Sequence, residues 1–499
     1  MRSILALAAC SLLAIIPACS EGQIVDTPEP PPAGETPAEQ EEPPPAEEPR
    51  TSGMVVLDLG EVQTGSEATF DVPEGALGFN VSAEGQLADF DPLRPFGIQR
   101  ITAPDGTVVH DDFTPKGGTV PTSVAFFDTI ASASVPQGEG VPNDLAGKWK
   151  VRFGVPGAPT SKTKLKGTVR IQSSGDGAFH GGELDLYVHV PRGLLINGQP
   201  IDSANAAGDP NIEERLDIFF ELTSELLGIK KGKVSFREED SSYRELDGEK
   251  DFLKGFAVSK GEKDGTQALH VLLTNVIARD GQPFAEGLSA GIPGAATVFG
   301  RGVSGTIVTT SDDSLRDAHK LLHEVGHFFG LNHTTELTGE SSDPLSDTPI
   351  CEKISWDPND LFECPDRTNV MFAAGPIEGP ATLSPSQKRV YRGSPIYRAL
   401  TAATGTTTMS RQVPSTLRSF KRHFRVSGST VLSPVERELS LGSCGLTPLD
   451  ANGLVKRHGR AAALTQLRAA AEDQDLAPYI RGRANLTLKM LDAQVPIRP

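Results

Sequence analysis

Residues 323–333 constrain the local fold more than any other stretch of the chain. They read H-E-x-x-H-x-x-G-x-x-H, in which the fixed positions after Glu324 are His327, Gly330 and His333. Residues four apart lie on one face of an α-helix, so the spacing predicts a helix whose first two histidines point the same way. A third histidine six residues later cannot rejoin that face from a continuing helix, and glycine is the residue that tolerates a left-handed turn. The motif therefore predicts a helix that ends sharply.

The chemistry of this pattern is that of a zinc site. Imidazoles of His323, His327 and His333 supply three protein ligands, and a catalytic zinc keeps its fourth position for water, whose pKa it lowers to about 7. Glu324 can take a proton from that water as a general base and pass it to a leaving amine. The pattern thus predicts zinc-dependent hydrolysis of peptide bonds. His319 faces the same way, but because three ligands are already present we interpret it as a partly buried helix histidine.

At these residues the chain resembles the metzincin clan of zinc metallopeptidases, which is named for a methionine in a tight turn beneath the metal. Met371, in the run Asn369-Val370-Met371, is the matching methionine, although an ordinary core methionine is the other interpretation. Many relatives carry a tyrosine two residues after the methionine, and this chain has Ala373. The resemblance therefore leaves the partner of the oxyanion unassigned.

Within the clan the chain is most similar to the pappalysin family, which has bacterial members. The likeness covers about residues 185–400, with specific motifs between 323 and 371. The shared features are Thr334 after the third histidine, the run 346–349, Cys351 and Cys364, the methionine run, and the helix start at 383–388.

Upstream of the motif the pattern is that of an α/β domain, which we place at residues 179–400. Alternating apolar residues predict a half-buried strand over 184–190, and a helix begins at the N-cap Asp209 and ends at Gly228. Further strands are predicted at 233–238, 268–277 and 306–310. We expect the last to be the edge strand, to which an extended protein or peptide substrate can add.

Cysteines and aspartates cluster between the third histidine and the methionine. Cys351 and Cys364 favour a disulfide over two free thiols, because the leader described below indicates an oxidising compartment. Four carboxylates there could bind Ca²⁺ or serve as loop residues with turn roles: Asp347, Asp357, Asp360 and Asp366. Their spacing fits no compact calcium loop, which favours the turn roles.

The amino terminus resembles a bacterial lipoprotein signal. An apolar run over residues 4–16 precedes Pro17-Ala18-Cys19, so residues 1–18 would be removed and Cys19 would carry the lipid that attaches the protein to the membrane. A secretory peptide cut near Ala18 is the alternative, and both predict export. Ser20 favours the outer membrane as the address of the lipidated form.

Residues 19–53 are rich in proline and glutamate and predict an extended tether. Nine acidic residues and one basic residue between 20 and 50 supply nearly half of the chain's net charge of −18. This acidic balance argues against nucleic acid as a partner.

Residues 54–178 predict a β-sandwich accessory domain. Short strands are expected at 55–59, 68–72, 78–81, 98–101 and 149–153, separated by turns such as Pro104-Asp105-Gly106. The pattern resembles the prepeptidase-type modules of secreted bacterial peptidases. Substrate binding, shielding of the cleft and structural support all remain open for it.

The basic carboxyl-terminal region, residues 401–499, is predicted to be mainly helical. It contains fourteen Lys and Arg against seven Asp and Glu, and residues 461–471 have strong helical propensity. Cys444 stands alone there and is interpreted as a small core residue, with a latency thiol or an intermolecular disulfide as the alternatives.

The chain as a whole therefore predicts a multidomain protein with two functions in view. The first is an exported zinc metalloendopeptidase that acts on extracellular or periplasmic proteins. The alternative is a non-catalytic surface binding lipoprotein that retains a zinc site. Glu324 favours the enzyme, because a purely structural zinc site needs no base and usually takes four protein ligands.

Overall fold

The computed structural model describes residues 54–85, 97–111, 130–154, 164–261, 267–296, 304–336, 342–351, 363–373, 380–401 and 460–472, which belong to one compact unit spanning residues 51–499. Among these residues no helix is long and apolar enough to cross a membrane. The predictions for the signal peptide, the lipidated Cys19, the tether and Cys444 concern residues outside the described ranges. The described chain is a mixed α/β protein with several sheets.

Two antiparallel sheets of four strands each form the amino-terminal part. Their strands are β1 (Met54–Gln63), β2 (Glu67–Val72), β3 (Ala76–Gly85), β4 (Ile98–Thr102), β5 (Val108–Asp111), β6 (Ile130–Val135), β7 (Gly147–Phe153) and β8 (Lys164–Ser173). The orders are β1-β8-β3-β6 and β2-β7-β4-β5. Inward-facing residues of both sheets, among them Phe79, Trp149 and Val169, share one hydrophobic cluster. All five strands predicted between 55 and 153 are present.

The second face of the sheet that contains β3 and β6 is polar and nevertheless buried. Its buried side chains include Asn80, Ser132, Ser134 and Gln172. The Gln172 side-chain amide donates to the backbone oxygen of Tyr397 at 2.6 Å. This face is therefore covered by a later part of the chain through hydrogen bonds.

A six-stranded sheet forms the next part of the fold. It contains β9 (Gly182–Pro191), β12 (Ile229–Glu239), β14 (Leu269–Thr274), β17 (Gly287–Ser289), β18 (Thr306–Thr309) and the short β19 (Arg398–Ala399). The order is β12-β9-β14-β18-β17, with β19 paired to the start of β9. Strands β12, β9, β14 and β18 run parallel, and β17 is antiparallel to β18.

Helices cover both faces of this sheet. Helices α1 (Pro210–Leu227) and α3 (Ser314–Phe329) pack with the apolar residues of β9 in the main core, and α4 (Pro385–Gly393) joins the same cluster. Helix α2 (Glu249–Phe256) packs in a second cluster with a small sheet of β13 (Glu245–Asp247), β15 (Val276–Arg279) and β16 (Gln282–Ala285). A hairpin of β10 (Leu195–Ile196) and β11 (Gln199–Pro200), 3-10 turns at Ser203–Gly208, Ser241–Tyr243 and Ala257–Gly261, and helix α5 (Arg460–Glu472) complete the described elements.

Most predicted elements are confirmed. Helix α1 begins after the N-cap Asp209 and ends at the left-handed Gly228, β9 covers the strand predicted at 184–190, and α5 covers the helix predicted at 461–471. The strand predicted at 233–238 belongs to the longer β12.

Two strand predictions are wrong. The stretch 268–277 divides into β14 and β15, which belong to different sheets, because the backbone N–H groups of Asn275 and Val276 both donate to Arg244 and bend the chain. The predicted edge strand 306–310 is internal, since Gly287–Ser289 pairs with its outer side. In the described chain the edge strand on this side of the sheet is therefore β17, a three-residue strand too short to stand out in the sequence.

Candidate metal centre

Helix α3 carries the motif and is capped at both ends. The Asp313 side chain accepts a hydrogen bond from the backbone N–H of Arg316 at 3.0 Å. This gives a partner to one of the N–H groups that a helix leaves open at its amino end. At the other end Gly330 has φ 115°, and its N–H donates to the backbone oxygens of Gly326 and His327. The predicted left-handed turn is thus confirmed. It reverses the chain and brings His333 back to the helix.

The three histidines of the motif meet at their Nε2 atoms. His333 Nε2 lies 3.2 Å from His323 Nε2 and 3.1 Å from His327 Nε2. His323 is fully buried, and so is most of His327. Among the described residues no fourth His, Cys, Asp or Glu joins this group, and His319 is buried outside it.

Hydrogen bonds at the opposite ring nitrogens fix the tautomers. His323 Nδ1 and His327 Nδ1 lie 2.7 Å from the backbone oxygens of Val370 and Leu331. A carbonyl oxygen only accepts, so each Nδ1 carries the proton and each Nε2 of the neutral ring has a free lone pair. Lone pairs that face one another at this distance repel unless a cation lies between them. Three convergent imidazole nitrogens are a donor set that fits Zn²⁺.

The surroundings keep these rings neutral. Burial, together with the neighbouring His327 and His333, lowers the pKa of His323 well below its ordinary value. Burial and His333 lower the pKa of His327 to about 3. Both rings are therefore unprotonated at neutral pH, as ligands of a metal must be.

A chain of hydrogen bonds holds the segment that orients His323. Asn369 Oδ1 accepts from the backbone N–H of Met371 at 2.8 Å, and the Asn369 amide donates to Gln387 Oε1 at 2.8 Å. Gln387 in turn belongs to the capping box of α4, with Ser384 as its partner. The carbonyl of Val370 that meets His323 is thus fixed by helix α4. Partners of this kind commonly set the orientation of metal-ligating histidines.

Met371 lies directly under the motif. A Cβ at Gly326 would lie 2.4 Å from Met371 Sδ and 3.1 Å from the Tyr391 hydroxyl, so the sulfur touches the helix backbone between the two histidine turns. Tyr391 is buried and donates to the backbone oxygen of Leu322 at 2.8 Å. The glycine of the motif's fourth position therefore makes room for the methionine. Spacing alone does not show this role of Gly326.

Sequence reasoning missed the carboxylate that faces the third histidine. Glu336 Oε2 lies 2.9 Å from His333 Nδ1, which gives His333 the same tautomer as the other two rings. Although burial raises the pKa of Glu336, its hydrogen bond with His333 brings that pKa below the ordinary value. An acidic residue three positions after a ligand is the only sequence signal for this contact.

Glu324 is buried on the helix beside the first ligand, in contact with the edge strand. A Cβ at Gly287 in β17 would lie 2.5 Å from both Cγ and Oε1 of Glu324. The glycine therefore leaves the space that the Glu324 carboxylate occupies. Gly287 is a second residue of the site that the sequence does not single out, because it lies far from the motif in the chain.

Replacing Gly287 by alanine is expected to displace the Glu324 carboxylate, since a real Cβ does not approach another atom to 2.5 Å. For the peptide cleavage that the motif predicts, we expect kcat to fall by about 10² with zinc still bound, the cost of moving a catalytic group by about 1 Å. Gly208→Ala is the matched control, because a Cβ there meets nothing within 4 Å. Equal kcat values in the two variants would show that Glu324 is not held by this contact.

The remaining predicted residues surround the centre. Cys351 and Cys364 form the predicted disulfide, with Cα atoms 5.1 Å apart. Asp347 accepts hydrogen bonds from Ser384 and Ser386 at the start of α4, and Asp366 accepts from the hydroxyls of two threonines. Both aspartates thus accept hydrogen bonds from residues distant in the chain, rather than having the local turn roles that the sequence favoured. Asp357 and Asp360 lie outside the described residues.

Ala373, two residues after Met371, is fully buried. Its methyl side chain offers no hydrogen-bond donor. No group for an oxyanion is therefore assigned at this position.

No protein-family model matches the chain. No curated protein matches it either. Among solved structures, archaemetzincin from Methanopyrus kandleri is similar with a TM-score of 0.21 and 20% identity over 45% of this chain and 92% of that chain. Metalloproteinase-II from Bacteroides fragilis is similar with a TM-score of 0.24 and 15% identity over 36% of this chain and 58% of that chain. At such scores neither likeness defines a shared fold, so the function rests on the site's own residues.

Proposed function

We propose that the chain is an exported zinc metalloendopeptidase of the metzincin type, most like the pappalysin family. The observation that carries the proposal is the meeting of three Nε2 lone pairs, at 3.1 and 3.2 Å from His333, next to a buried glutamate on the same helix. A donor set of three histidines with an adjacent carboxylate is the arrangement of a hydrolytic zinc site rather than a structural one.

Each residue has a distinct role in this proposal. His323, His327 and His333 would hold the zinc. When bound, the zinc would act as a Lewis acid and lower the pKa of water. Glu324 accepts a proton at its carboxylate and returns it to the leaving amine. Strand β17 supplies a sheet edge along which an extended peptide can pair by backbone hydrogen bonds.

The cellular setting is part of the proposal. The lipoprotein-like leader and Cys19 support a location at the bacterial cell envelope, at the outer membrane or released from it, with extracellular or periplasmic proteins as substrates. The disulfide is consistent with an oxidising compartment. The two amino-terminal sheets are the β-sandwich accessory domain of this enzyme.

The experiment is hydrolysis of a mixed peptide library by the form that lacks residues 1–19. We expect cleavage, loss of cleavage in a zinc chelator, and recovery when zinc is returned, because the histidines hold the metal through neutral rings. Stoichiometric zinc binding without cleavage of any peptide would contradict the enzyme and favour the surface binding lipoprotein. Cleavage that resists the chelator would contradict the metal centre itself.

A further inference from the structure

Strand β6 and the residues that follow it reach from the amino-terminal sheets to the metal centre. Ser132 is buried on the polar face of its sheet, and its hydroxyl donates to the backbone oxygen of Pro293 at 2.6 Å. The side-chain amide of Gln137 donates to the preceding backbone oxygen, that of Ile292, at 3.2 Å. Two successive carbonyls of one loop are therefore held by the accessory sheets.

That loop touches the end of the motif helix. The backbone N–H of Gly294 donates to the oxygen of Phe328 at 2.9 Å, which satisfies one of the carbonyls that a helix leaves open at its carboxyl end. A Cβ at Gly330 would lie 3.6 Å from Pro293 and 3.8 Å from Gln137. The loop and the accessory sheets thus pack against the turn that redirects the chain toward the third ligand.

The same turn orients a metal ligand. Leu331 follows the capping glycine, and its N–H donates to the backbone oxygen of Gly326 at 2.9 Å. Its carbonyl oxygen meets His327 Nδ1 at 2.7 Å and sets the tautomer and direction of that ring. A continuous series of contacts therefore joins Ser132 to His327.

Two further contacts come from the residues after β6. Glu139 Oε1 accepts from the backbone N–H of Ser346 at 2.8 Å, in the segment between the third ligand and the disulfide. The Arg389 guanidinium of α4 donates to the backbone oxygens of Val141 and Pro142. Ser132 together with residues 137–142, which we call the strap, thus contacts the end of α3 and the loop beside it, the segment around Ser346 and helix α4.

We propose that the strap fixes the geometry of the metal centre and that Ser132 and Gln137 are positioning residues for His327. Substrate binding, shielding of the cleft and structural support were the three roles open to the accessory sheets. The contacts of the strap favour structural support of the site. A mobile cleft shield or an independent binding module would not need buried hydrogen bonds to the loop beside the motif. The inference rests on the metal centre of the proposed function but does not depend on peptide cleavage.

The test compares zinc affinity, measured by competition with a chelator, in Ser132→Ala and Ser134→Ala. Ser134 is the matched control: it lies on the same strand and face, is equally buried, and bonds to Asn80 within the sheet. We expect Ser132→Ala to raise the zinc dissociation constant about threefold to tenfold, below the 10- to 100-fold cost of removing a direct partner of a ligand. Ser134→Ala should leave it within twofold of wild type, and Ser132→Thr should restore it.

Gln137→Ala keeps the test decisive if Ser132→Ala folds poorly, because Gln137 is only partly buried. We expect a loss of zinc affinity in this variant too and, on any peptide the enzyme cleaves, a lower kcat at unchanged KM. Wild-type affinity in both variants would overturn the inference. An equal loss in Ser134→Ala would also overturn it, because the effect would then come from general loosening of the sheet. Zinc affinity needs no substrate, so these results stand whether or not the chain proves to be a peptidase.

Discussion

Glu324→Gln is expected to lower kcat for peptide cleavage by about 10³-fold or more while zinc stays bound. Glutamine has the shape of glutamate but cannot accept the proton, and the Glu324 side chain is buried against Gly287. The loss should therefore appear in kcat and leave KM nearly unchanged. The measurement is steady-state kinetics on a peptide selected from the library, with zinc content determined on the same sample.

Glu225→Gln, an identical change at an exposed position of helix α1, is the control for handling and purity. It should retain wild-type kinetics. If Glu324→Gln kept more than about a tenth of the wild-type kcat, another group would have to be the base, since general base catalysis contributes about 10²–10⁴. If it lost zinc together with activity, the carboxylate would be a structural support of the centre rather than a proton acceptor.

Sequence reasoning succeeded where the determining contacts are local. The turn at Gly330 and the facing of His323 and His327 both follow from residues within one or two helical turns of each other. The same holds for helix α1 between Asp209 and Gly228. In each case a property of one residue type determines the local structure, such as the left-handed backbone of glycine at a helix end.

The contacts that complete the site are not local, and no periodicity reveals them. Gly287 meets Glu324, and Asn369 meets Gln387, only because separate elements pack side by side. A pattern of apolar residues predicts which face of an element is buried but not its partner. For this reason the sequence wrongly predicts β18 as the sheet edge. It also gives no sign of the hydrogen bond between Ser132 and Pro293.

Asp317→Asn is expected to destabilise the protein by about 3–5 kcal/mol, the largest effect on stability among these predictions. Asp317 lies between two buried cations at the start of the motif helix: its carboxylate is 2.7 Å from Arg215 Nε and 2.6 Å from Lys320 Nζ. The side chains of Arg215 and Lys320 are 7% and 1% exposed, so neither can recover its hydration when the negative charge is removed. The measurement is the free energy of unfolding in urea.

Asp217→Asn is the matched control, because Asp217 pairs with Lys231 at the surface, with side chains 67% and 43% exposed. The free energy of unfolding of Asp217→Asn should be lower than that of wild type by no more than about 1 kcal/mol, as for other exposed ion pairs. Equal costs for the two variants would mean that the cluster around Asp317 is hydrated in solution. A buried cluster at this place joins helices α1 and α3, so its loss should also weaken zinc binding by loosening the helix that carries two ligands.

The pH dependence of the Asp317 effect has a definite sign. Burial raises the pKa of Asp317, but the charges of Lys320 and Arg215 and the hydrogen bonds more than offset it, so the pKa in the folded protein lies below the ordinary 3.8. Between the two pKa values the unfolded chain binds more protons than the folded one, and stability falls as the pH falls. The difference in unfolding free energy between wild type and Asp317→Asn should therefore be constant from neutral pH to about pH 5 and shrink below pH 3.8 as the carboxylate is protonated. The comparison is made on zinc-free proteins, which contain the same buried histidines, so acid effects on those histidines cancel in this difference and what remains reports the charge of Asp317.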